Sequence, residues 1–258
     1  MKATRRASAP RLVARLRAAG CVFAEDEAAM LIEAAGSAAE LDRMVSRRAA
    51  GAPLEQVVGW AEFCGSRIVV APGVFVPRRR TEFLVEQALA LLPPQAVVLD
   101  LCCGAGAIGA ALLTRAPGIE LHAADVDPAA VACARRNLTA PVHIGDLYDP
   151  LPPRLRGQVD AIVANVPYVP SADVAFLPSE ARVHEPLTAL DGGPDGLDVL
   201  RRVAAGAPDW LRRGGRLLIE TSERQAAAAV HAFAGSGLRA RTTTDDELGV
   251  TVVVGTFA

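Results

Sequence analysis

From Thr81 to the end of the 258-residue chain, short apolar runs alternate with segments of helical texture. Few folds accommodate that order. Ala96 to Leu101 is an apolar run without polar alternation, as a parallel strand covered on both faces requires. Helical texture follows over Ile108 to Arg115, then a strand at Ile119 to Asp125, a helix at Pro128 to Asn137, and strands at Val142 to Gly145 and Val159 to Ala164. A helix near Leu197 to Arg212, a strand at Arg216 to Glu220 and a helix at Arg224 to Ala234 extend the series. This alternation predicts a doubly wound α/β fold, a mostly parallel sheet with helices on both faces. Two closing strands, near Leu238 to Thr243 and Val250 to Thr256, have no helix between them and predict an antiparallel edge pair.

The first 80 residues differ in texture. Leu12, Val13 and Leu16, then Ala29, Met30 and Ile32, recur at amphipathic spacing with breaks at Gly20 and Gly36-Ser37, so residues 1–50 read as a small helical domain. Residues 51–76 read as a β-hairpin linker. Its β-type residues are Val57-Val58, Trp60 to Phe63, Ile68 to Val70 and Val74 to Val76, with turns at Gly65-Ser66 and Pro72-Gly73. Residues 77–258 then form the α/β domain.

Composition excludes several classes of protein. With 51% apolar and 22% charged residues the chain can bury a full core, which rules out disorder. No apolar run reaches the ~18 residues of a membrane span, so a soluble protein is expected. Cys21, Cys64, Cys102, Cys103 and Cys133 are odd in number and lack C-x-x-C spacing, which fits a reducing, cytoplasmic setting. His122, His143, His184 and His231 are scattered, so no metal site is expected. There is no G-x-S-x-G nucleophile elbow. The net charge of −2 hides an asymmetry: residues 1–80 sum to +5 and residues 81–258 to −7. Lys2, Arg5, Arg6, Arg11, Arg15 and Arg17 precede the first acid and suit a solvated basic helix face. The basic portion suits docking of a macromolecule, and the acidic portion a small-molecule pocket lined with carboxylates.

In an open parallel sheet, ligands bind beyond the carboxyl ends of the strands, near the point where strand order reverses. The first such end carries Asp100-Leu-Cys-Cys-Gly104-Ala105-Gly106-Ala-Ile-Gly109 and opens a helix. Glycines there allow a tight turn and a close backbone approach, with free helix N–H groups facing the ligand. The pattern fits nicotinamide, flavin and S-adenosylmethionine sites alike. Asp125 ends the next strand, 19 residues beyond Gly106, where a carboxylate can accept from both hydroxyls of a ribose. Asp127 competes for that role, although its place before Pro128 suits a helix N-cap. Asp146-Leu147 follows the third strand and can take an adenine edge, the carboxylate accepting from the amino group and Leu147 packing on the ring. Asn165-Val166-Pro167-Tyr168 ends the fourth strand. Asn165 offers an acceptor and a donor, Val166 a backbone carbonyl, Pro167 a stiff turn and Tyr168 an aromatic face. A planar –NH2 group lying on Tyr168 could donate to both carbonyls.

This succession of strand ends resembles a class I S-adenosylmethionine-dependent methyltransferase acting on a planar amine or amide nitrogen. Further segments resemble the HemK/PrmC family of protein N(5)-glutamine methyltransferases. Upstream these are Gly51-Ala-Pro53-Leu54, Glu62-Phe63, Pro72 to Arg78 and Thr81-Glu82; downstream they are Glu185 to Leu190, Gly192 to Leu197 and Leu211 to Glu220. The similarity covers about residues 50–258. Two departures stand out: Val166 replaces the first proline of the family's usual Asn-Pro-Pro-Tyr, and Arg79-Arg80 stand where the family tends to have proline and an acid.

The resemblance implies S-adenosylmethionine as cofactor, held by Asp100, Gly104, Ala105, Gly106, Asp125, Asp146, Leu147 and Asn165. It implies Asn165, Val166, Pro167 and Tyr168 as the catalytic and substrate-binding residues. The substrate it implies is a glutamine in the Gly-Gly-Gln loop of a peptide-chain release factor, with nucleic acid involved only through the translation machinery. Three other readings stay open: an adenine-N6-type RNA or DNA methyltransferase, a nicotinamide-dependent oxidoreductase and a non-catalytic cofactor-binding protein.

Overall fold

The computed structural model describes residues 9–258; Lys2, Arg5 and Arg6 of the basic N-terminal stretch lie outside the described residues. Helices α1 (Ala9–Ala18), α2 (Ala24–Ala34) and α3 (Ala38–Ala49) turn at the predicted glycines. Ser37 caps α3 by accepting from the Glu40 N–H at 3.1 Å, while Glu40 reaches back to the Gly36 N–H at 2.7 Å. Leu16, Leu31 and Val45 meet in a core of their own.

That core also takes in Val57, which corrects the reading of Val57-Val58 as β structure. Leu54–Val58 is a short helix, α4, entered from Pro53 and ended by Gly59 in a left-handed conformation at φ 87°. Burial against α3 outweighs the strand preference of two valines. The hairpin itself is β1 (Trp60–Phe63) and β2 (Ser66–Val69), antiparallel. Its turn residues are Cys64 and Gly65, both at positive φ, one position earlier than predicted, so Ser66 pairs with Phe63. Val74 to Val76 forms no strand, a second correction. Its backbone is bonded by side chains instead: the Val74 carbonyl accepts from Gln56 at 3.0 Å, and the Val76 N–H donates to Glu185 at 3.1 Å.

Helix α5 (Glu82–Leu89), which the sequence reading did not foresee, leads into the alternating region. There follow β3 (Val97–Leu101), α6 (Ala107–Arg115), β4 (Glu120–Asp125), α7 (Pro128–Asn137), β5 (Val142–Ile144) and β6 (Val159–Ala164), close to prediction. After a long connection holding the short helix α8 (Ser179–His184) come α9 (Asp198–Trp210), β7 (Leu211–Thr221), α10 (Glu223–Gly235), β8 (Leu238–Asp245) and β9 (Val250–Phe257).

The seven strands run in the order β5-β4-β3-β6-β7-β9-β8. Neighbours from β5 to β7 are parallel, and β9 lies antiparallel between β7 and β8. Helices cover both faces. Leu84, Ile108 and Val131 pack with Val98 on one side, and Leu200, Val203 and Phe233 pack with Leu99 and Leu101 on the other. The hairpin is fastened to the first side: Asn137 exchanges hydrogen bonds with the Val69 N–H and carbonyl, both at 2.9 Å. Strand order reverses between β3 and β6, so the crevice there is where a ligand is expected. Among the described residues no helix is long and apolar enough to cross a membrane.

Candidate active site

A cavity of about 870 Å³ opens at the carboxyl ends of the parallel strands, large enough for a nucleoside-sized ligand and an acceptor side chain. Gly104 reaches it from the loop after β3 in a left-handed conformation at φ 55°, with no protein atom within 4 Å of the place a side chain would start. A ligand can therefore meet the backbone directly. Ala105 and Gly106 are buried behind this loop, and so is Asp100. Asp100 Oδ2 accepts from the Gly109 N–H at 2.9 Å, while Oδ1 has no hydrogen-bond partner. Complete burial pushes its carboxyl up to about 7; the Gly109 N–H opposes that rise and the nearby Asp125 adds to it.

Asp125 lies on the cavity wall. Its two oxygens accept from the Gly104 and Asp127 N–H groups at 2.8 and 2.9 Å, which sets the carboxylate's plane and leaves lone pairs for a ligand. Burial raises its pKa and these N–H groups pull it back. Asp127 accepts from the Ala129 N–H at 2.8 Å and caps α7. Val126, 56% exposed, lies between them along the wall and offers an apolar surface that the sequence reading passed over. Asp146 and Leu147 also line the cavity, and one oxygen of Asp146 is engaged by Arg202 of α9 at 2.5 Å.

All four residues of the Asn165 tetrad face the same space. Asn165 Nδ2 donates to the Thr81 hydroxyl at 3.1 Å, and none of the described residues donates to Oδ1. The Tyr168 hydroxyl accepts from Arg80, whose Nε donates to Glu220 at 3.2 Å. Burial and Glu220 raise the tyrosine's pKa, so its ring is neutral. The tetrad's backbone is clamped from behind. Val169 exchanges bonds with Leu190 and Gly192 at 3.0 and 2.8 Å, and Gln225 donates to the Tyr168 carbonyl at 2.9 Å. A Cβ on Gly196 would sit 2.2 Å from that carbonyl oxygen, and one on Gly192 would sit 2.6 Å from the Pro167 carbonyl oxygen. The glycine-rich 192–196 segment is thus what allows a loop to lie flat against the tetrad.

Arg78 closes the cavity on the linker side, its Nη2 donating to both oxygens of Glu185 at 2.6 Å. Burial raises the pKa of Glu185, and Arg78 works against that rise. Two segments singled out upstream and downstream in the sequence therefore meet here. The sequence reading assigned no site role to Arg78, Arg80, Thr81, Glu185 or Glu220. Glu220 carried a usable signal, since it lies at the carboxyl end of a predicted strand. The others act through contacts more than 80 positions away in the chain, which no local pattern records.

A family model described as "Methyltransferase small domain" matches residues 65–193. The chain is 39% identical over 217 residues to the release factor glutamine methyltransferase of Geobacter sulfurreducens, covering 82% of this chain and 75% of the relative. It is 41% identical over 204 residues to the protein of that name from Mycolicibacterium smegmatis, covering 77% and 72%. A methyltransferase structure from Pyrococcus furiosus superposes with a TM-score of 0.57 at 16% identity, over 74% of this chain and 89% of that one, and shows the shared fold. These matches, on a sheet of this order with a glycine loop at its cavity, make the chain a class I methyltransferase. Within that class, the chain belongs to the release factor glutamine methyltransferase family.

The residues present suit S-adenosylmethionine. Asp125 keeps lone pairs for ribose hydroxyls, Gly104 presents bare backbone, and Val126 and Leu147 give apolar wall for a base. Asp146 retains a second oxygen for an amino group.

Proposed function

We propose that this protein methylates the side-chain amide nitrogen of a glutamine in the Gly-Gly-Gln loop of a peptide-chain release factor. The observation that carries this reading is the unengaged Asn165 Oδ1, held in the cavity beside the Val166 carbonyl and the Tyr168 ring. When bound, S-adenosylmethionine supplies an activated methyl group on its sulfonium. Asp125, Gly104, Asp146, Val126 and Leu147 would hold it.

The acceptor's problem is electronic. An amide nitrogen shares its lone pair with the carbonyl and is a weak nucleophile. No side chain beside the tetrad is a ready base: the Tyr168 hydroxyl accepts from Arg80, and Glu220 is buried and bonded to the same arginine. Positioning has to do the work, with reacting atoms held at ~3–3.5 Å. Asn165 Oδ1 and the Val166 carbonyl accept the two N–H groups of the amide and so orient its nitrogen. Both bonds strengthen as positive charge grows on that nitrogen, which favours the transition state over the ground state; once methylated, the cationic nitrogen is strongly acidic and releases its surplus proton to water. The Tyr168 ring supports the amide plane and the developing cation.

The helical unit of α1 to α3 is proposed as the substrate-docking part. Arg48 on α3 pairs with Glu27 at 2.6 Å and with Glu180 on α8 at 2.5 Å, which ties that unit to the loop following the tetrad. A cytoplasmic location goes with this substrate. Incubation with methyl-labelled cofactor and purified release factors, with mass spectrometry to locate the label, tests the reading. The expected product carries one methyl on the loop glutamine. Label on RNA adenine, or on no release factor, overturns it.

A further inference from the structure

Asp146 and Leu147 reach the cavity from a turn whose backbone is unusual for the residues it holds. The Asp149 N–H donates to the Asp146 carbonyl at 3.0 Å, which makes Leu147 and Tyr148 the central pair of a tight turn. Leu147 sits there in a left-handed conformation at φ 48°. Glycine, asparagine and aspartate take that position readily, whereas leucine is strained in it and has to be held by its surroundings. Tyr148 supplies a hold. Its ring packs with Leu147 against the core of Leu99 and Leu101, and its hydroxyl donates to the Val203 carbonyl of α9 at 2.8 Å. The ring stacks on Trp210 with centroids 5.7 Å apart and planes 15° from parallel. A Cβ on Gly206 would lie 2.6 Å from Tyr148 Cε2, so only glycine leaves room for the ring there. Val203, Gly206 and Trp210 follow one another at three and four residues, so a single stripe of α9 receives the whole side chain.

We infer that Tyr148 is a positioning residue for the cofactor's base: anchored on α9, it keeps the strained turn in the form that sets Leu147 and Asp146 on the cavity wall. Released from that anchor, the turn relaxes toward negative φ at Leu147. The leucine then leaves the wall, and the Asp146 carboxylate turns away from the base's amino group. Burial pushes the Tyr148 hydroxyl's pKa up, so it keeps its proton and remains a donor. Arg202 reaches Asp146 from the same helix, but that pair is about half exposed, and the packed tyrosine is the firmer link between turn and helix. The inference rests on the adenine reading of Asp146 and Leu147 given above and is independent of the acceptor's identity.

The test is calorimetry on the full chain with two probes: S-adenosylhomocysteine, and the same molecule carrying hypoxanthine, in which a carbonyl oxygen replaces the amino group. The wild-type protein should prefer the adenine form. Tyr148→Phe keeps the ring and removes the hydroxyl; it should lower affinity for the adenine form about tenfold and shrink the preference at least about threefold. Gly206→Ala pushes the ring from the helix side while favouring the helix itself, and should shrink the preference likewise. It decides the matter if Tyr148→Phe folds poorly. In a Leu147→Gly background glycine holds the turn unaided, so Tyr148→Phe should there cost less than about twofold. A preference unchanged in both Tyr148→Phe and Gly206→Ala overturns the inference. So does an equal cost of Tyr148→Phe with Leu147 and with Gly at that position, since that makes the tyrosine a support of the fold alone. A wild-type protein without preference defeats the adenine reading and the inference with it. A wild-type protein inactive on release factors but with the expected affinities defeats the proposed function alone.

Discussion

The two halves of the cavity are built in different ways. On the cofactor side, the central groups are set by backbone within a few residues or by the adjacent strand end: Asp125 by the N–H groups of Gly104 and Asp127, and the loop by its own left-handed turns. On the acceptor side, side chains from distant segments hold one another: Thr81 with Asn165, Arg78 with Glu185, Arg80 with Tyr168 and Glu220. A cofactor common to a class of enzymes can be met by a portable backbone cradle. A weak nucleophile that must be held at one angle needs side chains whose rotamers are locked by their neighbours.

The contrast is broken most directly at Asn165. Asn165→Ala should lower methyl transfer by ~10²–10³-fold, as for loss of one preorganised hydrogen-bonding group. Cofactor affinity should stay within a few-fold, because the cradle is independent. A rate assay with labelled cofactor and calorimetry on the same preparation reads both, and unchanged turnover would remove the tetrad from the mechanism. Asp125→Ala is the converse. It removes an acceptor already oriented by two N–H groups and should weaken cofactor binding by roughly 10- to 100-fold, the scale of a charge-assisted hydrogen bond. An unchanged dissociation constant would reassign the ribose contact, and Asp127, held as a helix cap, is poorly placed to take it.

The same division explains what could be read in advance. Strands β3 to β6 and helix α7 follow from apolar runs and a proline start, and the antiparallel β9 follows from the missing helix before it. The glycine loop, Asp125 and Asp146 were found because a strand end is a local feature, and the structure brings Gly104, Asp125, Asp146, Leu147 and the tetrad to one cavity. Val57-Val58 and Val74 to Val76 carry β-type residues without a partner strand among the described residues; the first two lie in a helix with Val57 buried, and the other three are tied down by Gln56 and Glu185. Thr81 and Arg78 were visible as motif letters, but their partners lie 84 and 107 positions away.

Gly196 tests the clamp behind the tetrad. Its φ is +75°, and a Cβ would lie 2.2 Å from the Tyr168 carbonyl oxygen and 2.4 Å from the Gln225 amide. Gly196→Ala should cost about 1–3 kcal/mol of stability from strain and displacement. It should also reduce turnover more than cofactor affinity, since the displaced atoms belong to the acceptor side. Urea unfolding with parallel kinetics separates the two effects, and a variant of normal stability would mean that the 192–196 loop yields easily.

The smallest effect belongs to Arg202, where the cofactor side borrows the acceptor side's method. Arg202 and Asp146 are joined side chain to side chain across 56 positions, yet both are about half exposed, at 55% and 47%. An ion pair so open to water contributes at most ~1 kcal/mol. Arg202→Ala should therefore weaken cofactor binding by less than about fivefold, and the loss should shrink as salt is raised, because screening already weakens the pair in the wild type. Calorimetry at low and high ionic strength measures this. A loss of tens-fold that ignores salt would show that Asp146 depends on Arg202 for its orientation, and that adenine recognition is assembled from distant side chains as the acceptor site is.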